Sequence, residues 1–201
     1  MGELELIARE VAGCTACVLS KTRHKTVPGS GAAHADIMFI GEAPGYHEDQ
    51  RGEPFVGPAG QFLDELLASI GLKRADVFIA NVVKCRPPNN RDPQPDEIAA
   101  CDHFLQRQIA AIKPKVVVTL GRFSMGKFFP GESISRIHGR ARARNGVLYF
   151  PLYHPAAALH QPALRRTIEE DFKKLPELIA TLDQSPPDEP HQETATQLSL
   201  F

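Results

Sequence analysis

Four cysteines, Cys14, Cys17, Cys85 and Cys101, give the pattern C-x2-C, then 67 residues, then C-x15-C. Thiolates are soft ligands, and four with none left over point to one site holding zinc or an iron-sulfur cluster. Structural zinc commonly uses two close pairs. Here one pair is close, which leans towards the cluster while spacing leaves both metals open. Unrelated buried thiols that simply pack are the bland alternative.

A second group of reactive side chains lies in GEAPGYHEDQRGEPFVGPAG, from Gly41 to Gly60. Its glycines and prolines set sharp turns and let a ligand approach the backbone closely. The stretch presents Glu42, Glu48 and Asp49, and no G-K-[ST] follows, so it fails as a phosphate loop. Further along, Asn81, Gly121 and His154-Pro155 are the other residues that stand out.

The elements that must position these residues are legible as apolar runs. DIMFIG from Asp36, DVFIANVV from Asp76, KVVVTLG from Lys115 and GVLYFPLYH from Gly146 read as buried strands. AGQFLDELLASIG carries a helical stripe of Phe62, Leu63, Leu66, Leu67 and Ile70, with Gly71 as its stop. PDEIAACDHFLQRQIAAI has an acidic first turn and then Ile98, Cys101, Leu105, Ile109 and Ile112 on one side. A last helix is expected from about Ala163 to Leu182, bent or broken at Pro176. Strands alternating with helices predict an α/β fold, a three-layer α/β/α sandwich around a central four-stranded parallel sheet. Ligands in such folds sit beyond the carboxyl ends of the strands, where GEAPG, Asn81, Gly121 and His154 all fall.

Composition suits one ordinary globular domain, 42% apolar and 23% charged over 201 residues. MGELELIARE carries acids where a secretory signal carries bases, and no apolar run reaches the roughly 18 residues of a membrane span. The chain therefore reads as cytoplasmic, with no membrane partner and as a monomer. Its formal charge of -1 conceals a division at Leu182, since Asp183, Asp188, Glu189 and Glu193 put -4 in the last segment and leave +3 on the rest. The densest basic segment, RIHGRARAR, repeats Arg136, His138, Arg140, Arg142 and Arg144 at every second position, which would share one face if extended. The bland reading is a solvated edge strand kept soluble by charge.

Five pieces in order, GEAPG with its downstream ED, GEPFVGPAGQFLDELL, NVVKCRPPNNRDPQPDE, YHPAAAL and the cysteine spacing, resemble the family 4 uracil-DNA glycosylases, the iron-sulfur branch of that superfamily. A related branch trapped covalently by uracil carries an inserted KRRIH after the second strand; here that region reads KCRPPNNRDP, so the hydrolytic type is expected. The resemblance implies a 4Fe-4S cluster on Cys14, Cys17, Cys85 and Cys101, with a structural role.

It also implies uracil-containing DNA, double- and single-stranded, as substrate, with the target nucleotide flipped into a pocket. Phe55 then stacks on the base, and the Asn81 amide donates and accepts against its edge. His154 donates to uracil O2 as a neutral imidazole. Glu42 orients water and stabilises the cationic sugar, with Glu48 the second candidate, while Gly41, Ala43 and Gly45 keep backbone close to the base. Phosphate contacts are expected from Arg136, Arg140 and Arg142, from Lys84 and Arg86, and from Arg165 and Arg166. Leu159 is the candidate wedge for the vacated stack. The rival class is a non-enzymatic iron-sulfur or zinc module that binds DNA or senses redox state.

The domain is expected over 1–182 and a disordered acidic tail over 183–201. The tail ends in QLSLF, where Gln197, Leu198, Leu200 and Phe201 resemble the bacterial sliding-clamp binding motif.

Overall fold

The computed structural model describes residues 2–184. Four strands, β2 (Ile37–Gly41), β3 (Phe78–Asn81), β4 (Val116–Leu120) and β6 (Val147–Leu152), run parallel, with the order β3-β2-β4-β6. Each was legible because a strand covered on both faces is apolar throughout instead of alternating. Successive residues of β2 feed two separate cores: Ile37 and Phe39 enter one, Met38 and Ile40 the other.

The first core is closed by α3 (Pro58–Ser69), α7 (Pro155–His160), α8 (Pro162–Phe172) and α9 (Leu175–Gln184), through Leu63, Leu66, Ala158, Ile168 and Phe172. The second is closed by α1 (Glu3–Gly13) and α4 (Pro95–Ile112), through Ile7, Val11, Phe104 and Leu105. The three expected layers are present.

The sheet has six strands where four were expected. β1 (Ser30–Gly31) joins β3, and β5 (Arg142–Arg144) joins β6, both antiparallel at the edges. They escape a search for apolar runs because both are exposed and only two or three residues long. The RIHGRARAR segment is accordingly not one extended face. Arg136 lies in α6 (Ile134–Ile137), the chain turns at Gly139 with φ +66°, and only Arg142 to Arg144 are strand. The turn is held by His138 Nδ1, 2.6 Å from the buried Asp171 carboxylate.

The expected last helix is two helices, separated at Lys173 and Lys174, and Pro176 stands in the first turn of the second, where its missing N–H costs nothing. α9 continues to Gln184, two residues past the expected boundary. The tail after it, with Gln197, Leu198, Leu200 and Phe201, lies outside the described residues. No described helix is long and apolar enough to cross a membrane.

Sheet order dictates where a ligand can bind. The chain leaves β2 towards β3 on one side and returns to β4 on the other, so the connections diverge at the carboxyl end of β2 and open a crevice there. α2 (Tyr46–Arg51) and α5 (Arg122–Phe128) begin on that rim, after β2 and β4 respectively.

Candidate active site

A cleft of about 400 Å³ occupies the crevice, lined by Glu42, Ala43, Gly45, Glu48, Phe55, Asn81 and His154 together with Pro87, Asn90, Arg91 and His160. All the expected catalytic and base-contacting residues except Gly41 line it directly. Gly41 sits immediately behind. A Cβ there would lie 2.4 Å from Asn81 Oδ1 and 2.7 Å from the Phe55 ring, so no other residue lets these two side chains converge.

Asn81 closes β3 opposite Gly41 in the parallel register and is 1% exposed. Its Oδ1 is buried without a hydrogen-bond partner. An orphaned amide oxygen beside a cleft is an acceptor waiting for an N–H from a ligand, because leaving it unpaired costs about 1–3 kcal/mol.

Phe55 adopts a left-handed backbone with φ +54°, unfavourable for an aromatic residue. Arg74 holds it there: Nη1 donates to Pro54 O at 2.9 Å, Nη2 donates to Phe55 O, and Nε meets Asp64 at 2.6 Å. Gly60 permits the turn, since a Cβ would lie 1.7 Å from Phe55 O. The strain fixes the Phe55 ring beside His154, with centroids 5.5 Å apart and planes inclined by 25°.

His154 caps α7. Its Nδ1 accepts the Ala156 N–H at 3.1 Å, which leaves the ring proton on Nε2. Burial against the rim lowers its pKa to about 4, the Glu48 charge opposing weakly, so the imidazole is neutral near pH 7.

The two glutamates separate by environment. Glu48 Oε1 accepts from Val56 N at 2.8 Å and Gly57 N at 2.9 Å, while Oε2 accepts from Gly45 N at 3.1 Å. It is therefore the brace that folds the loop, and it engages the Gly45 N–H, which is then not available to a base. Glu42 has no such partners. Desolvation and, secondarily, the Asp92 charge raise its pKa to about 7, with Arg122 opposing. Asp92 and Arg122 form an ion pair with each other beside it. Asp49, the third acid, is buried and accepts from His24 N at 2.9 Å, tying the chain before β1 to α2.

The segment Pro87 to Arg91 supplies the opposite wall, which sequence reasoning had treated only as a match to a motif. Asn89 and Asn90 are both left-handed, and Arg91 grips the buried Glu97 with two bonds of 2.8 and 2.6 Å. The two-proline, two-asparagine run was the available signal for a wall built by turns.

Outside the cleft, Arg136 and Arg140 are exposed, and Leu159 is 47% exposed on α7. Arg142 meets Glu132 at 3.0 Å, and Arg165 meets Glu65 at 2.6 Å and Glu169 at 2.9 Å. Arg86 stays near the surface over the Tyr46 ring. Lys84 does not: it is 1% exposed and cannot reach a phosphate.

The four cysteines line one cavity between α1, α4 and the chain leaving β3. Arg23 Nη1 lies 3.3 Å from Cys85 Sγ and donates to Cys14 O at 2.7 Å; Lys84 N donates to Cys101 Sγ at 3.3 Å. Burial pushes the Cys101 thiol up to about 11 and Cys85 in the same direction. Among the described residues no set of three or more His, Cys, Asp or Glu side chains is arranged around a single metal ion.

Comparison with known proteins accords with this geometry. A model of the uracil DNA glycosylase superfamily matches residues 28–177. The Type-4 uracil-DNA glycosylase of Saccharolobus solfataricus is 51% identical over 191 residues, covering 90% of this chain and 88% of that protein. The Type-4 enzyme of Archaeoglobus fulgidus is 50% identical over 187 residues, 89% of this chain and 94% of its own. That of Thermotoga maritima is 44% identical over 181 residues, with 88% and 94% covered. Identity at this level along most of each chain, joined to the superfamily match, shows that the protein belongs to the type-4 uracil-DNA glycosylases.

Proposed function

We propose that this protein hydrolyses the N-glycosidic bond of uracil in DNA, releasing the free base and starting base excision repair. The observation that carries the reading is the buried, unpartnered Asn81 Oδ1 at a cleft also lined by Phe55 and a neutral His154. Uracil N3–H satisfies that oxygen, and the amide N–H of Asn81 can meet O4. Cytosine offers no N–H at N3 and puts a donor at C4, so the same amide rejects it.

Bond cleavage passes electrons from the C1′–N1 bond to the base, leaving a uracil anion and an oxocarbenium-like sugar. The Nε2–H of His154 stabilises charge growing on uracil O2. Glu42 is the free carboxylate at the cleft: ionised, it attracts the cationic sugar and takes a proton from the water that forms the new bond at C1′. Glu48 keeps the loop folded and does not touch the reacting atoms.

The cysteine site fits an iron-sulfur cluster. Four thiols share one cavity, two of their sulfurs lie near N–H donors, and an all-thiolate set of four suits such a cluster. Cys14, Cys17, Cys85 and Cys101 would hold a 4Fe-4S cluster that crosslinks α1, α4 and the segment after Asn81. Its contribution is structural.

DNA phosphates are assigned to Arg136 and Arg140, with Arg142 and Arg165 exchanging a carboxylate for a phosphate on binding, so affinity falls as salt rises. Leu159 is assigned to the gap left by the flipped base. The terminal QLSLF is assigned to a bacterial sliding clamp on its sequence pattern. Free uracil appearing when the iron-loaded protein meets a uracil-containing oligonucleotide tests the activity; a folded, loaded protein that releases none overturns it.

A further inference from the structure

Lys84 is the only buried lysine among the described residues. No described carboxylate lies within ion-pair distance of it. Its Nζ instead donates to Asn81 O at 2.8 Å and to Gln108 Oε1 at 2.7 Å, and Gln108 Nε2 donates in turn to Pro28 O at 2.6 Å. The backbone of Lys84 is equally committed: its N–H reaches Cys101 Sγ at 3.3 Å, and its carbonyl accepts from Val27 N at 2.8 Å. Burying an ammonium is costly, the charges of Cys101 and Asp102 oppose that cost without cancelling it, and a methionine would fill the same space without it.

The benefit lies at Asn81. Asn81 Oδ1 has no hydrogen-bond partner among the described residues, so that oxygen is not held from its own end. Its placement must be set from the backbone. On one side the chain is laced to β2, with Val82 N bonded to Gly41 O at 3.0 Å and Val83 N to Glu42 O at 3.2 Å. On the other, the Asn81 carbonyl is gripped by the Lys84 ammonium, itself pinned by Gln108 from α4.

We propose that Lys84 is a positioning residue for base recognition, clamping the Asn81 peptide from behind and registering it against Cys101. It acts through Asn81 and touches neither base nor sugar. The inference rests on the reading of the cleft as a uracil pocket, and its test separates the two.

The test uses the full, iron-loaded chain as wild type, Lys84→Met and Gln108→Leu, and reads inhibition by free uracil, kcat/KM on uracil-containing DNA, affinity for abasic DNA, iron content and melting temperature. Losing a charge-assisted bond to the Asn81 carbonyl should weaken uracil inhibition and lower kcat/KM by about tenfold to a hundredfold in Lys84→Met. Abasic DNA affinity and iron content should hold within about twofold, because the phosphate contacts and cysteines are untouched. Gln108→Leu, which keeps the Lys84 bond to Asn81 but frees the ammonium to move, should show a smaller loss in the same direction. Unchanged uracil inhibition in Lys84→Met overturns the proposal, as does an equal loss of abasic DNA affinity, which would indicate general damage. If Lys84→Met does not fold, unchanged uracil inhibition in Gln108→Leu overturns it. A wild type that releases no uracil refutes the underlying activity instead.

Discussion

Gly41 and Asn81 stand opposite each other on adjacent parallel strands, and the space a Cβ on Gly41 would need is already taken by Asn81 Oδ1 at 2.4 Å and the Phe55 ring at 2.7 Å. Gly41→Ala must therefore displace Asn81, assigned to the base edge, Phe55, assigned to stack on the base, or both. Overpacking of this kind costs about 1–3 kcal/mol of stability. Activity should fall further than stability, by about a hundredfold, because misplacement by an ångström is penalised heavily at a reacting centre. Kinetics and thermal melts on the same preparation check the two effects.

In its proposed role Glu42 should give the reaction an acid limb. With its pKa raised to about 7 by burial and by Asp92, the carboxylate is protonated below neutrality and the rate should fall there. Asp92→Asn removes one raising influence and frees Arg122 to lower the value, so the limb should move to lower pH. Stability carries the opposite sign. A carboxyl whose folded pKa exceeds its unfolded value of 4.5 costs stability as pH rises from there towards 7. Glu42→Gln should consequently be nearly inactive yet melt higher than wild type at pH 8, with the gap closing at pH 5.

His154 should contribute no limb near pH 6.5, because its pKa is held at about 4 and the ring is already the neutral donor. Substituting His154→Ala removes the donor to the leaving base and should cost about 2.7–4 kcal/mol, or a hundredfold to a thousandfold in kcat. A single-turnover pH profile down to pH 5 distinguishes this from a protonated histidine acting as an acid.

Glu48 offers the contrasting behaviour of a brace. Its carboxylate closes three backbone N–H bonds, so Glu48→Ala should lower stability by about 1–3 kcal/mol and loosen the loop that carries Ala43 to Gly45. Glu48→Gln should keep the acid limb of activity near pH 7, whereas Glu42→Gln removes it. Comparing the two pH profiles assigns the roles.

At the cysteine site, if the proposed cluster is bound, Cys101→Ser should reduce iron and acid-labile sulfide together and lower the melting temperature sharply, because α4 and the segment after Asn81 would lose the crosslink the cluster supplies. Metal analysis before and after chelation checks it, and recovery of zinc in place of iron and sulfide would contradict the cluster.

Much of this was legible before any coordinates. The four inner strands are legible as apolar runs because the sheet is buried on both faces, and α3 and α4 as apolar stripes, the second after Pro95 and an acidic first turn. Glu42, Asn81 and His154 stand out in the sequence because parallel strands place their following residues on one rim, while Phe55 and the four roles rest on the family resemblance. What stayed hidden was set by tertiary partners. Nothing in RIHGRARAR foretells that His138 will turn inward to Asp171, and nothing in QPALRR foretells that Arg165 will be engaged by two carboxylates. Lys84 read as a surface base beside Arg86, and only the approach of Gln108 from α4 explains its burial. The ranking of Glu42 against Glu48 likewise required knowing which carboxylate the backbone amides of Gly45, Val56 and Gly57 would reach.

The proposed selectivity depends on Asn81 reading the uracil edge in the cleft. Single-turnover release of base from otherwise identical duplexes carrying one uracil, cytosine or thymine, measured for wild type and Asn81→Ala with iron content matched, tests it most directly. The account predicts rapid release of uracil alone by wild type, leaving an alkali-labile site, and loss of that release in the variant. Undiminished uracil release by Asn81→Ala, or equal release of cytosine by wild type, would contradict it.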